Sequence, residues 1–137
     1  MPKEKKQQLT INGKNYDIDS LSDQAKQQLM NLQFADGEIQ QLKNKIALTN
    51  MARSSYLQVL NQHLPEKTAA ANKKKDVITV DGKRYCLDDF NDEGKVQVQN
   101  LQVVAQLLDR LNSELAITQT ARNGYYQILE LSLTKTQ

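Results

Sequence analysis

LTINGKNYDIDSLSDQAK, residues 9–26, is answered by ITVDGKRYCLDDFNDEGK, residues 78–95, and this likeness makes the chain a tandem repeat. Sliding the chain on itself by about 69 positions carries the match without a gap to Leu64 and Leu133, with about 20 of about 56 aligned positions identical. The shared set includes Thr10/Thr79, Gly13/Gly82, Lys14/Lys83, Tyr16/Tyr85, Asp19/Asp88, Asn31/Asn100, Leu42/Leu111, Thr49/Thr118, Arg53/Arg122, Tyr56/Tyr125 and Leu60/Leu129. The chain therefore reads as a basic N-terminal tail (1–8), a first repeat (9–64), a linker (65–76) and a second repeat (77–137). The linker, PEKTAAANKKKD, starts with a proline stop and continues in small and basic residues without apolar periodicity.

Each repeat opens with a hairpin. Leu9, Ile11, Tyr16 and Ile18 flank Asn12-Gly13, and Ile78, Val80, Tyr85 and Leu87 flank Asp81-Gly82. Asn-Gly and Asp-Gly tolerate the positive φ angles of a type I′ turn. A two-residue loop sets Ile11 opposite Lys14 and Leu9 opposite Tyr16, with the apolar residues on one face. A lone ribbon is marginal, so that face must rest on the start of its own helix or on the other hairpin.

The helix is expected to follow at once. Ser20 or Ser22, and Asp89 or Asn91, can accept from the orphan amides, while Asp23 and Asp92 complement the positive first turn. Leu21 and Phe90 suit a hydrophobic staple if the later cap is used. Apolar and polar layers then step by threes and fours through Leu32, Ala35, Ile39, Leu42, Ile46, Thr49, Arg53, Tyr56 and Leu60. The second repeat matches with Leu101, Val104, Leu108, Leu111, Leu115, Thr118, Arg122, Tyr125 and Leu129. This seam predicts helices of roughly 42 residues packed as a coiled coil.

Linker reach sets their direction. Twelve extended residues cover at most about 40 Å, less than a helix of about 63 Å, so antiparallel packing is expected. Under that arrangement Leu42 faces Leu111, Arg53 approaches Asn100 and Arg122 approaches Asn31, giving polar layers that fix register. The fold class is α+β, mostly α: a tandem β-hairpin plus long helix. A second stripe of Val98, Val103, Leu107, Ile117, Tyr126, Ile128 and Leu131, with a weaker one of Phe34, Leu48, Leu57 and Val59, exceeds what two helices cover. It calls for a homodimer or a protein partner, or else for the hairpins to fold over it.

Composition narrows the chemistry. The 137 residues hold one cysteine and one histidine and carry a formal charge of +2. One cysteine excludes an internal disulfide, and Cys86 with His63 makes a poor start for a zinc site, so no metal and no cofactor is expected. His63 has Ser132 as its repeat counterpart and Cys86 has Asp17, so neither belongs to a repeated catalytic set. The acidic residues near the hairpins read as helix caps, and Gly13-Lys14 and Gly82-Lys83 as turns, not as a phosphate cradle. No run approaches the roughly 18 apolar residues of a membrane span, and MPKEKKQQ is no secretory signal, so a soluble cytoplasmic protein with no membrane partner is expected. Lysines cluster at 3–6 and 73–75, and Lys14, Lys83 and Arg84 lie on the ribbons, which leaves nucleic acid as the rival partner. Aspartates nearby and an aromatic content of 5% weaken it.

With T-I/V-N/D-G-K-x-Y-x-I/L-D, then S/N-D-x-x-K and a helix carrying T-x-x-A-R-x-x-Y, the chain resembles a family of small uncharacterised proteins. These carry one or two ITIDGKEYDLDSLSDEAK-like segments and are associated with marine bacteria and their phages. The resemblance covers both repeats and implies no catalytic residues; it implies a phage-encoded virion component or host-directed factor. A non-enzymatic structural or protein-binding element is therefore expected. Its assembly seam is Leu32, Ile39, Leu42, Ile46, Arg53, Tyr56, Leu101, Leu108, Leu111, Leu115, Arg122 and Tyr125. Its partner contacts are Lys14, Lys83, Arg84, Leu107, Ile117, Tyr126 and Ile128.

Overall fold

A computed structural model describes residues 7–134. Strands β1 (Gln8–Ile11) and β2 (Lys14–Asp17) form a hairpin, followed by a 3-10 turn (Ile18–Ser20) and helix α1 (Asp23–Asn61). Strands β3 (Val77–Val80) and β4 (Lys83–Cys86), a second 3-10 turn (Leu87–Asp89) and helix α2 (Asp92–Thr134) repeat the order. The chain is α+β and mostly α. Residues 1–6 of the basic tail and 135–137 of the second repeat lie outside the described residues.

Turn chemistry sets both hairpins. Asn12 (φ 53°) with Gly13 (φ 79°), and Asp81 (φ 50°) with Gly82 (φ 80°), hold the left-handed conformations a type I′ turn requires. The registers follow: Leu9 opposite Tyr16 and Ile11 opposite Lys14, Ile78 opposite Tyr85 and Val80 opposite Lys83.

The helices do not follow at once. A 3-10 turn intervenes in each repeat, anchored where Ile18 N–H donates to the Gln7 carbonyl (3.2 Å) and Leu87 N–H to the Asp76 carbonyl (2.8 Å). Of the alternative caps, the later ones act: Ser22 Oγ accepts from Ala25 N–H (3.1 Å) and Asn91 Oδ1 from Gly94 N–H (2.8 Å). Leu21 and Phe90 are buried, but the helix position a staple needs is Lys26 or Lys95, so they pack into the cores instead.

Two compact units result, and each takes chain from both repeats. The first joins residues 7–43 with 113–134; the second is residues 44–112. In the first, Ile11, Leu21, Ala25, Leu29 and Leu32 enclose Leu129 and Leu133 from the end of α2, with Leu9, Tyr16, Ile18, Tyr125 and Tyr126 around them. In the second, Val80, Tyr85, Phe90 and Val98 enclose Leu60 from the end of α1. The start of one helix thus lies against the end of the other, which is antiparallel packing. Each hairpin's apolar face rests on its own helix start and on the other helix's end. Leu60 and Leu129 are repeat counterparts and fully buried. Burying such a side chain contributes about 1.5–3 kcal/mol.

These anchors correct the expected register. Arg122 Nε donates to Asp36 Oδ1 (2.8 Å), not to Asn31, whose Oδ1 accepts from Gln27 Nε2 (3.3 Å). Arg53 shares a groove with Ala105, not with Asn100, whose amide donates to Gln97 (3.5 Å). Both pairings are displaced by five residues in the same sense. Burial of the two leucines beneath the hairpins sets the alignment, and the charged pair outcompetes an arginine–amide layer.

The linker is not a bare tether either. Ala69 N–H donates to the Arg84 carbonyl (2.7 Å), and the Arg84 guanidinium donates to the carbonyls of Ala70 (3.4 Å), Ala71 (3.2 Å) and Lys73. One β4 side chain therefore straps residues 69–73 along the ribbon. Its counterpart Asn15 is too short for this, and it accepts from Thr10 Oγ1 (2.6 Å) instead.

Candidate functional site

The seam residues separate into buried and half-buried sets. Leu32, Leu42 and Leu111 are buried; Ile39, Ile46, Tyr56, Leu101, Leu108, Leu115, Arg122 and Tyr125 are half-buried; Arg53 is exposed. Thr49 and Thr118 close their hydroxyls on the Lys45 and Glu114 carbonyls (2.7 and 2.8 Å), so these layers make no interhelical bond through the hydroxyl.

The second stripe behaves unevenly. Val98, placed off the seam by sequence, is a core residue, and Tyr126 packs on the first core. The area beneath a hairpin is broader than a two-helix seam, so a helix there buries an extra row. Elsewhere the hairpins leave the stripe uncovered: Phe34 and Leu48 are each 71% exposed, Ile117 69% and Leu131 61%. In the first unit Ile117, Ala121, Gly124, Ile128 and Leu131 recur every three or four residues along α2, and Met30 and Phe34 do so on α1. Leu107 is half-buried.

The hairpin cations divide likewise. Lys14 and Lys83 are exposed, whereas Arg84 is held on linker carbonyls.

The two conserved-in-repeat arginines differ most. Around Arg122 the first unit supplies Asp36, a Tyr126 ring whose centroid lies 5.5 Å from the guanidinium carbon, and Glu130 beyond it. Partial burial, and then the Glu130 carboxylate, hold the Tyr126 phenol above the ordinary tyrosine range, with Arg122 acting the other way. Around Arg53 the matching positions are Ala105, Leu57 and Asn61. Among the described residues Arg53 has no hydrogen bond and no ion pair. Asp36 escaped the sequence reading because its counterpart is alanine; only the five-residue offset brings it to Arg122.

His63 lies just beyond α1. Asn91 Nδ2 faces its Nδ1 (3.0 Å) and Glu93 its Nε2 (2.8 Å). Asn91 Oδ1 is already committed to Gly94 N–H, so its amide NH2 donates to Nδ1, and the imidazole proton sits on Nε2 toward Glu93. The ring ties the end of α1 to the cap of α2 within the second unit. Cys86 is a half-buried free thiol on β4. Among the described residues no three His, Cys, Asp or Glu side chains are grouped to hold a metal ion, and no helix is long and apolar enough to cross a membrane.

Residues 1–69 match a family of unknown function (DUF6447). The chain belongs to that family. The DUF6447 match takes in the first hairpin, α1 and the beginning of the linker, in keeping with the uncharacterised family expected from the ribbon motif. No curated protein and no solved structure matches the chain.

Proposed function

We propose that this DUF6447 chain is a non-catalytic protein-interaction element that pairs with a second copy of itself through the open helix face of its first unit. The observation that supports this is the run Ile117, Ala121, Gly124, Ile128 and Leu131 on α2. Its large members are exposed, its small members admit a close backbone approach, and Phe34 and Met30 are exposed on α1 of the same unit. A helix from a second copy would remove these side chains from water, each worth about 1.5–3 kcal/mol on full burial. The rival is nucleic acid held by the exposed Lys14, Lys83 and Lys73 to Lys75, but the Arg84 guanidinium already donates to linker carbonyls, and exposed Asp81, Asp88 and Asp89 oppose phosphates around the second ribbon. The resemblance to phage-associated proteins adds the proposal that the dimer works in a host cytoplasm or a virus particle.

Light scattering tests the pairing. The full chain is expected at twice its 15.6 kDa mass, and Ile117→Glu with Leu131→Glu is expected to return the monomer with its helix content intact. A wild-type monomer at about 100 μM, where a micromolar dimer would be formed, would overturn the proposal.

A further inference from the structure

The two repeat-related arginines, Arg122 and Arg53, have unequal surroundings, and the difference lies on a surface apart from the proposed dimer face. In the second unit Arg53 stands at the rim of a groove of about 230 Å³, walled by Leu57, Ile78, Val98, Leu101 and Ala105. The first unit supplies its own partners at the corresponding positions: Tyr126 packs on the same core as Leu9, Arg122 lies over its ring, and Asp36 takes the guanidinium. In the second unit the arginine is kept while each of these partners has changed, Tyr126 to Leu57 and Asp36 to Ala105. What is missing is an aromatic ring and a carboxylate.

The groove also runs along an open strand edge. Val80 and Lys83 flank the turn and exchange backbone hydrogen bonds, so in the next pair, Thr79 and Arg84, the N–H and C=O groups point away from the ribbon. On the β4 side that edge is occupied, because the Arg84 carbonyl accepts from Ala69 N–H. On the β3 side Thr79 is exposed and lines the groove. An edge of this kind pairs with an extended backbone, while side chains enter the adjoining pocket.

We infer that this groove binds an extended segment of a partner protein bearing an aromatic side chain close to an aspartate or glutamate. The ring enters between Leu57, Ile78 and Leu101, supplying the aromatic side chain that Tyr126 contributes to the first unit. The carboxylate accepts from the Arg53 guanidinium, as Asp36 does from Arg122, and the backbone runs along Thr79.

Fluorescence anisotropy with the full chain tests this, using three short labelled peptides: one tyrosine among aspartates and glutamates, the same peptide with alanine for tyrosine, and the same with lysine for every acid. Saturable binding of the first is expected, with the other two weaker by about tenfold or more. Leu57→Tyr with Ala105→Asp writes the first unit's own filling into the second. It is expected to lower affinity about tenfold while leaving the circular-dichroism spectrum unchanged, and Arg53→Gln is expected to do the same. Absence of saturation by the acidic tyrosine peptide up to about millimolar, equal binding of the lysine peptide, or unchanged affinity in Arg53→Gln would each overturn the inference. The dimer mass is read separately, so either proposal can fail without the other.

Discussion

Gly94 and Ala25 hold the same place in the two repeats, and the side chain four positions earlier decides which is tolerated. A Cβ at Gly94 would lie 3.0 Å from Phe90 Cδ1 and 3.2 Å from Phe90 Cβ. In the first repeat Leu21 stands where Phe90 does, and a buried Ala25 fits. The larger ring is therefore accommodated by the smaller backbone neighbour, and Phe90 uses the room to meet Tyr85 edge-on, centroids 6.0 Å apart. Gly94→Ala is expected to lower stability by about 1 kcal/mol, because crowding of about 1–3 kcal/mol outweighs a helix gain of up to about 1 kcal/mol. In a Phe90→Leu background the same change is expected to cost less, because the 3.0 Å approach of the ring is removed while the 3.2 Å approaches of the Cβ and of Asn91 Oδ1 remain. Urea denaturation of the four proteins checks the coupling; an equal loss in both backgrounds would refute it. At this scale the sequence told much about backbone and little about partners. Asn-Gly and Asp-Gly announced their turns because φ preference is local, whereas Arg84 on the linker carbonyls and Arg122 on Asp36 depend on which distant segments come together.

At the scale of elements, the beginnings of the two helices are alike in their caps and unlike in what surrounds them. Ser22 caps α1, and Ser132, the counterpart of His63, donates to the Ile128 carbonyl (2.9 Å) within its own helix. Asn91 caps α2 and also holds His63. Ser22→Ala is expected to cost about 1 kcal/mol, the usual value of a lost cap. Asn91→Ala is expected to cost about 0.5–1 kcal/mol more, from the lost bond to the ring. Equal losses in chemical denaturation would mean that the tie between α1 and α2 adds nothing. Helix existence and extent were legible from a long apolar period. The register was not, because a seam of repeating threes and fours fits itself in more than one alignment. The choice among them is made by Leu60 and Leu129, whose burial depends on hairpins that the seam pattern does not contain.

At the scale of the whole molecule, the repeats of the sequence are not the units of the structure. Each core is completed by the last turns of the other repeat's helix: Leu129 and Leu133 in the first unit, Leu60 in the second. A half chain therefore lacks the side chains that close its own core. Divided between Lys67 and Thr68, the two halves are expected to show little helix when dilute and alone, and to regain it on mixing in a concentration-dependent way. Circular dichroism of the halves against the mixture decides this; two halves fully helical as separate monomers would contradict it. This crossing of repeats into units could not be read from internal similarity, which marks what is copied and not what packs together.

The same crossing imposes an order on synthesis. Residues 44–112 are contiguous, so every part of the second unit is translated before α2 is finished. The first unit is divided: its hairpin and the start of α1 are translated first, and Leu129 and Leu133 only after the whole second unit. Leu21, Ala25, Leu29 and Leu32 must wait, with their native cover not yet translated, while the second unit is added. Throughout that interval the apolar start of α1 is uncapped by its proper partner. During that interval the end of a neighbouring chain's α2 presents the same leucines, which makes exchange between copies a route built into the order of the gene.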